Sequence, residues 1–152
     1  MAADLAVANI MTSDVVSVEP SATVADVARL MTEHDISGIP VVKAGRIVGI
    51  VTERDMVAQE MEMDTPAYGT FLDAVFKFPW DKSEAELRLI LATTAGELMS
   101  SEVVTVSPST TVREAAGLMY KRRLNPLPVT DERGHLVGIV SRSDIIRLLT
   151  EM

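Results

Sequence analysis

"IMTSDVVSVEPSATVADVARLM" at residues 10–31 and "LMSSEVVTVSPSTTVREAAGLM" at 98–119 are two versions of one sequence. Met11 falls on Met99, Pro20 on Pro108 and Met31 on Met119, so the chain carries an internal repeat in which each copy is about half a domain. The match extends outward. "IPVV" (39–42) lines up with "LPVT" (127–130), the second copy admits one extra residue in the following turn, and "GIVTERD" (49–55) lines up with "GIVSRSD" (138–144). Repeats are therefore expected over 1–60 and 96–152, with a segment of different character, 61–95, between them.

Within a repeat the patterns agree with one another. Val24, Val27, Ala28 and Met31 are spaced i, i+3, i+4, i+7, and Val112, Ala115, Ala116 and Met119 copy them, which predicts an amphipathic helix with one buried stripe. Ser21 or Thr23, and Ser109 or Thr111, are the candidate caps after Pro20 and Pro108. Two short β-branched runs follow in each copy, separated by "KAG" or "DERG", and predict a hairpin. A last helix is expected from about Thr52 and Ser141. The unit reads strand, helix, strand, strand, helix, and the fold class is α+β. One such unit leaves a face of its sheet uncovered, so the two copies are expected to pack on each other.

The segment 61–95 holds Tyr68, Phe71, Phe76, Phe78 and Trp80, leaving Tyr120 as the one aromatic of the repeats. Leu87, Ile90, Leu91 and Leu98 return to helical spacing. Two readings stay open: an insert that packs its aromatics on its own repeats, or a partner or dimer surface.

Bulk composition excludes several function classes. With 152 residues and 47% hydrophobic content, one ordinary core is affordable. Lys plus Arg number 14 against 22 Asp plus Glu, a net charge of −8, which opposes broad phosphate-backbone binding, so nucleic acid is not expected. There is no Cys, hence no disulfide, thiolate catalysis or Cys-based zinc site. The start, "MAADLAVANIM", lacks a basic region ahead of its apolar part, and no apolar run is long enough to span a bilayer; a cytoplasmic protein is expected.

Thr52-x-x-Asp55 and Ser141-x-x-Asp144 are the chemically suggestive pair. Each has the form of a capping box, in which a hydroxyl caps a helix and an acid three residues on reaches back. The same geometry also suits a ligand: a helix N-terminus offers N–H groups to an anion, and a nearby carboxylate accepts hydrogen bonds from a ribose diol. Both readings fit the spacing.

The repeat pair resembles tandem cystathionine-β-synthase (CBS) domains, the Bateman module. The marks are "TVADVARLM", "ISGIPVV" and "GRIVGIVTERD" in the first copy, and "TVREAAGLM", "LNPLPV" and "GHLVGIVSRSD" in the second. The resemblance implies two CBS repeats packed through their sheets about a pseudo-twofold axis, leaving two clefts for AMP, ADP, ATP or S-adenosylmethionine. By position it implies one cleft with Ser141 near phosphate, Asp144 on the ribose, and Thr12, Val16, Ile36, Ser37 and Gly38 around the base. The other would use Thr52 and Asp55, with Ser100, Val104, Leu124, Asn125 and Pro126 around the base. Pro126, and Gly38 in the other copy, stand where some relatives carry a basic phosphate contact. Phosphate charge would then fall to Arg54, Arg142, Arg122 or Arg123, and Mg²⁺ could accompany ATP. For "KRR" at 121–123 the alternative is a solvated helix end that complements the dipole.

No Gly-rich phosphate loop is present, and His34 and His135 lie outside any nucleophile or metal-ligand motif, so the chain is not read as an enzyme. The resemblance implies a regulatory sensor of adenine nucleotide, associating as a homodimer through its helices and acting on an unidentified regulated protein. The Ala28/Met31 and Ala116/Met119 stripe is a candidate surface for that dimer. A homodimeric interaction scaffold with empty clefts is the alternative.

Overall fold

The computed structural model describes residues 4–55 and 93–151, an arrangement of helices and short sheets of the α+β class. They form two compact units: residues 17–43 with 48–55 and 93–101, and residues 4–16 with 44–47 and 102–151. Neither unit is one repeat. Each joins most of one copy to the opening segment of the other.

The first-repeat unit begins with α1 (Val24–His34). Thr23 is its cap, accepting from Asp26 N at 3.1 Å, and Val24, Val27, Ala28 and Met31 are buried as the spacing predicts. Asp35 closes the helix in the left-handed region (φ 50). Strands β1 (Gly38–Lys43) and β2 (Arg46–Thr52) then pair. Between them Ala44 (φ 53) and Gly45 (φ 79) are both left-handed, which is the backbone of a two-residue hairpin turn. A helix starts at residue 53 and is described to 55. The short α2 (Ala95–Leu98) joins this unit, with Ala95 N donating to Ala22 O (2.7 Å) and Val24 N to Thr93 O (3.0 Å). Ile39, Val41, Val51 and Leu98 complete the core.

The second-repeat unit repeats the plan with α3 (Val112–Arg122), β3 (Leu127–Thr130), β4 (Leu136–Val140) and α4 (Arg142–Thr150). Thr111 caps α3 in a full capping box with Glu114, and Arg123 closes it at φ 53. Strands β3 and β4 are antiparallel, with Leu127 opposite Val140 and a register shift at Val129/Thr130 that absorbs the extra turn residue. Here the N-terminal segment takes the place of α2: Val7 is buried, its N donates to Thr110 O (2.7 Å), and Val112 N donates to Leu5 O (2.8 Å). Leu127, Val129, Val140, Ala115 and Met119 form the core around it. Each fully buried aliphatic of these cores contributes about 1.5–3 kcal/mol.

Two expectations need correcting. The first strand of each repeat is reduced to a single parallel bridge, Val18 to Val41 and Val106 to Val129. Val18 N donates to Pro40 O and Val42 N to Val18 O; in a parallel ladder the next rungs would need N–H groups from residues 40 and 20. Both are proline, as are 128 and 108 in the second copy, so the pairing cannot extend either way. The proposed dimer stripe is also spent internally, because Ala28, Met31 and Met119 are buried in their own unit's core. The aromatics of 61–95, and Leu87, Ile90 and Leu91, lie outside the described residues.

Candidate functional site

The repeated hydroxyl and carboxylate sit where β2 and β4 end and helices begin. In the second-repeat unit Asp144, only 6% exposed, turns its Oδ2 back to accept from Ser141 N (2.8 Å) and Ser141 Oγ (3.1 Å). Asp144 N donates to Ser141 Oγ (3.4 Å), which closes the box. Asp144 Oδ1 accepts from Arg147 Nη1 at 3.4 Å. Ser141 Oγ lies 2.7 Å from Ser143 Oγ, so two hydroxyls cluster at the α4 N-terminus. Asn125 closes this end as well, its Oδ1 accepting from Arg142 N at 2.9 Å. Thr12 is brought alongside by its backbone pairing with Ile139 (2.9 and 3.0 Å).

The first-repeat unit presents the matching arrangement with different partners. Thr52 N donates to Asp55 Oδ2 (2.9 Å), as does Thr52 Oγ1 (3.1 Å), and Asp55 N donates to Thr52 Oγ1 (3.2 Å). The second oxygen, Asp55 Oδ1, accepts from Ser100 Oγ at 3.0 Å. Ser100 pairs with Ile50 as Thr12 does with Ile139, and Glu53 N donates to Ser37 O (3.0 Å). A neutral hydroxyl thus engages one carboxylate and a guanidinium the other. That asymmetry reflects Arg147, an i+3 partner visible in the sequence but not singled out there.

Glycines set how closely these segments approach. A Cβ on Gly49 would be driven into Met99 Sδ, and one on Gly138 into Met11 Sδ. Met99 and Met11 immediately precede Ser100 and Thr12, so the bare backbone at these glycines is what lets each segment lie against the strand that ends in the carboxylate motif.

Sequence-predicted residues therefore gather within units as Thr12, Asn125, Ser141, Arg142 and Asp144, and as Ser37, Thr52, Asp55 and Ser100. Val16, Val104, Leu124 and Pro126 belong to the unit that holds Asp144, and Ile36 and Gly38 to the unit that holds Asp55. Arg54 and Arg142 are exposed in the first turns of their helices, and Lys121, Arg122 and Arg123 form an exposed helix end. His34 ends α1; His135 lies in the β3–β4 turn, where Asp131 accepts from its backbone N at 2.9 Å and faces its Nδ1 at 3.5 Å. That backbone N–H, more than any other contact, holds the Asp131 carboxyl below its ordinary value. Among the described residues no cluster of three or more His, Cys, Asp or Glu could hold a metal ion, and no helix is long and apolar enough to cross a membrane.

Comparison with known proteins reproduces the two-part layout. A family model described as CBS domain matches residues 7–62 and 95–151. An uncharacterized protein of Methanocaldococcus jannaschii is 34% identical over 133 residues, covering 82% of this chain and 79% of that protein. The CBS domain-containing protein YhcV of Bacillus subtilis is 31% identical over 139 residues, covering 89% and 79%. Among solved structures, CBSX2 of Arabidopsis thaliana in complex with AMP superposes with a TM-score of 0.71 at 26% identity, covering 96% of each chain.

Proposed function

The chain belongs to the CBS domain family, and on that premise we propose that it is a regulatory sensor of an adenosine-containing ligand, AMP, ADP or ATP, with S-adenosylmethionine as a further candidate. One observation carries the reading. Both copies keep an acid whose two oxygens are presented at a helix start, beside a hydroxyl and a crossing segment, in a fold shared with a protein that binds AMP. In this proposal Asp144 and Asp55 accept from the ribose hydroxyls, Ser141 and Thr52 face phosphate, and Thr12, Val16 and Ser100 stand near the base. Ser100 Oγ and Arg147 Nη1 occupy the acceptor positions in the meantime, each at one oxygen that a ribose diol could take over. Arg54 and Arg142 supply charge for phosphate, with Mg²⁺ as companion if the ligand is ATP. The role is regulatory and not catalytic. Ligand binding shifts the population of two arrangements of a cytoplasmic homodimer and so acts on a partner protein.

The competing reading is an interaction scaffold, and one observation favours it: the capping boxes already engage both carboxylates. A thermal-melting screen against AMP, ADP, ATP, S-adenosylmethionine and GMP decides between them. A ligand at about 100 times its Kd adds roughly 2.7 kcal/mol of stability for one site. A rise with adenine ligands and none with GMP supports the sensor, and a flat response to all of them supports the scaffold.

A further inference from the structure

We propose that the two carboxylate sites select different ligands by charge: the Asp144 site takes an adenosine compound that carries phosphate, and the Asp55 site one that carries none. The inference rests on the sensor reading above and divides its ligands between the two copies. It starts from repeat-equivalent positions of opposite sign. Thr52-Glu53-Arg54-Asp55 holds two acids and one cation, whereas Ser141-Arg142-Ser143-Asp144 holds one of each. Three residues past the acid the second copy adds Arg147, where the sequence of the first has Ala58, a position outside the described residues.

The structure shows what these differences do around each acid. Asp144 Oδ1 faces the Arg147 guanidinium at 3.4 Å, so its charge is met inside the site. The partner of Asp55 Oδ1 is the neutral Ser100 hydroxyl at 3.0 Å, which offers no countercharge. Glu53 and Arg142 are exposed and equivalently held, Glu53 N donating to Ser37 O (3.0 Å) and Arg142 N to Asn125 Oδ1 (2.9 Å). Two residues before those acceptors the signs oppose again: Asp35 (φ 50) and Arg123 (φ 53) close their helices with the same left-handed backbone, and both are exposed. Each set of groups lies within one unit, so the contrast is built inside each unit. A phosphate monoester carries a charge of about −1.5 to −2 near pH 7. At the start of α4 it meets Arg142 and the Ser141 and Ser143 hydroxyls, and a ribose diol that takes Asp144 Oδ1 releases a cation beside it. At the first-repeat helix start it meets Glu53 and Asp55 against Arg54, which repels it. A ribose whose 5′ substituent is uncharged or cationic needs only the carboxylate acceptor there, with Ser100 Oγ to displace.

The test is calorimetric titration of the full chain with AMP and with adenosine at low and high salt. Wild type is compared with Arg142→Glu and Glu53→Arg, two exposed substitutions that exchange the first helical residue between the copies, each first checked for a native melting transition. In wild type AMP should show one tight site per chain that weakens with salt, while the adenosine affinity is insensitive to salt. Arg142→Glu should weaken AMP at least about tenfold more than it weakens adenosine, and Glu53→Arg should add a second AMP site. Two equal AMP sites in wild type, AMP and adenosine affinities that fall together in Arg142→Glu, or a Glu53→Arg variant that gains no AMP binding would overturn the selectivity and leave the sensor reading in place. No heat from AMP, adenosine or S-adenosylmethionine with folded wild type would remove both.

Discussion

Replacing Asp144 by Asn separates a cap from a ligand contact. The carboxylate accepts from Ser141 N and Oγ through Oδ2 and from Arg147 through Oδ1. An amide keeps one acceptor: with its oxygen on Ser141, its NH₂ faces the guanidinium, and flipped, its NH₂ faces the Ser141 N–H. The structural cost is that of a weakened cap, about 1 kcal/mol, which for a chain of this size lowers Tm by roughly 2–4 °C. Arg147 is mostly exposed and adds little. Binding should suffer more. A hydrogen bond to an ionised group contributes about 1.5–3 kcal/mol, so losing the carboxylate as ribose acceptor should raise Kd by about tenfold to over a hundredfold. Melting and calorimetric titration of one preparation measure both effects. A variant that melts a few degrees lower yet binds AMP with the wild-type Kd would refute the ribose assignment and leave Asp144 as a cap alone.

Other outcomes follow from particular contacts. Gly49→Ala should destabilise by about 1–3 kcal/mol, because its Cβ meets Met99 Sδ; pairing it with Met99→Ala should return part of the loss, and denaturant unfolding of the two measures it. Ala44→Asn should raise Tm by about 1–4 °C, since Asn accepts the left-handed backbone (φ 53) that costs Ala about 1 kcal/mol. Asp131, with its pKa lowered chiefly by the His135 N–H, contributes stability above the ordinary carboxylate pKa and loses it as pH falls through the lowered value; Asp131→Asn should flatten that part of an acid stability profile.

Much of this fold is written in local pattern. The stripes Val24/Val27/Ala28/Met31 and Val112/Ala115/Met119 are buried because helical period and apolar placement agree, and Thr23 and Thr111 win their capping positions over Ser21 and Ser109 by standing directly before the first buried residue. The shortening of the first strand to one bridge was not legible, because Pro20 with Pro40 and Pro108 with Pro128 bar the next rungs only in the parallel register that the structure supplies. What local pattern does not carry is the choice of distant partners. That Ser100 latches Asp55, 45 residues away, and that the N-terminal segment serves the second repeat, depend on which strand edge and which glycine each segment meets. The site divides the same way. Capping boxes at Thr52 and Ser141 follow from spacing, whereas the different partners of the two carboxylates follow from residues outside the motif.

The central claim stands or falls on a calorimetric titration of the wild-type chain with AMP, run beside GMP. The account predicts saturable heat with AMP that is absent with GMP and is lost when Asp144 and Asp55 are both replaced by Asn in a protein that remains folded. No heat with AMP, ADP, ATP or S-adenosylmethionine from a folded chain would contradict it.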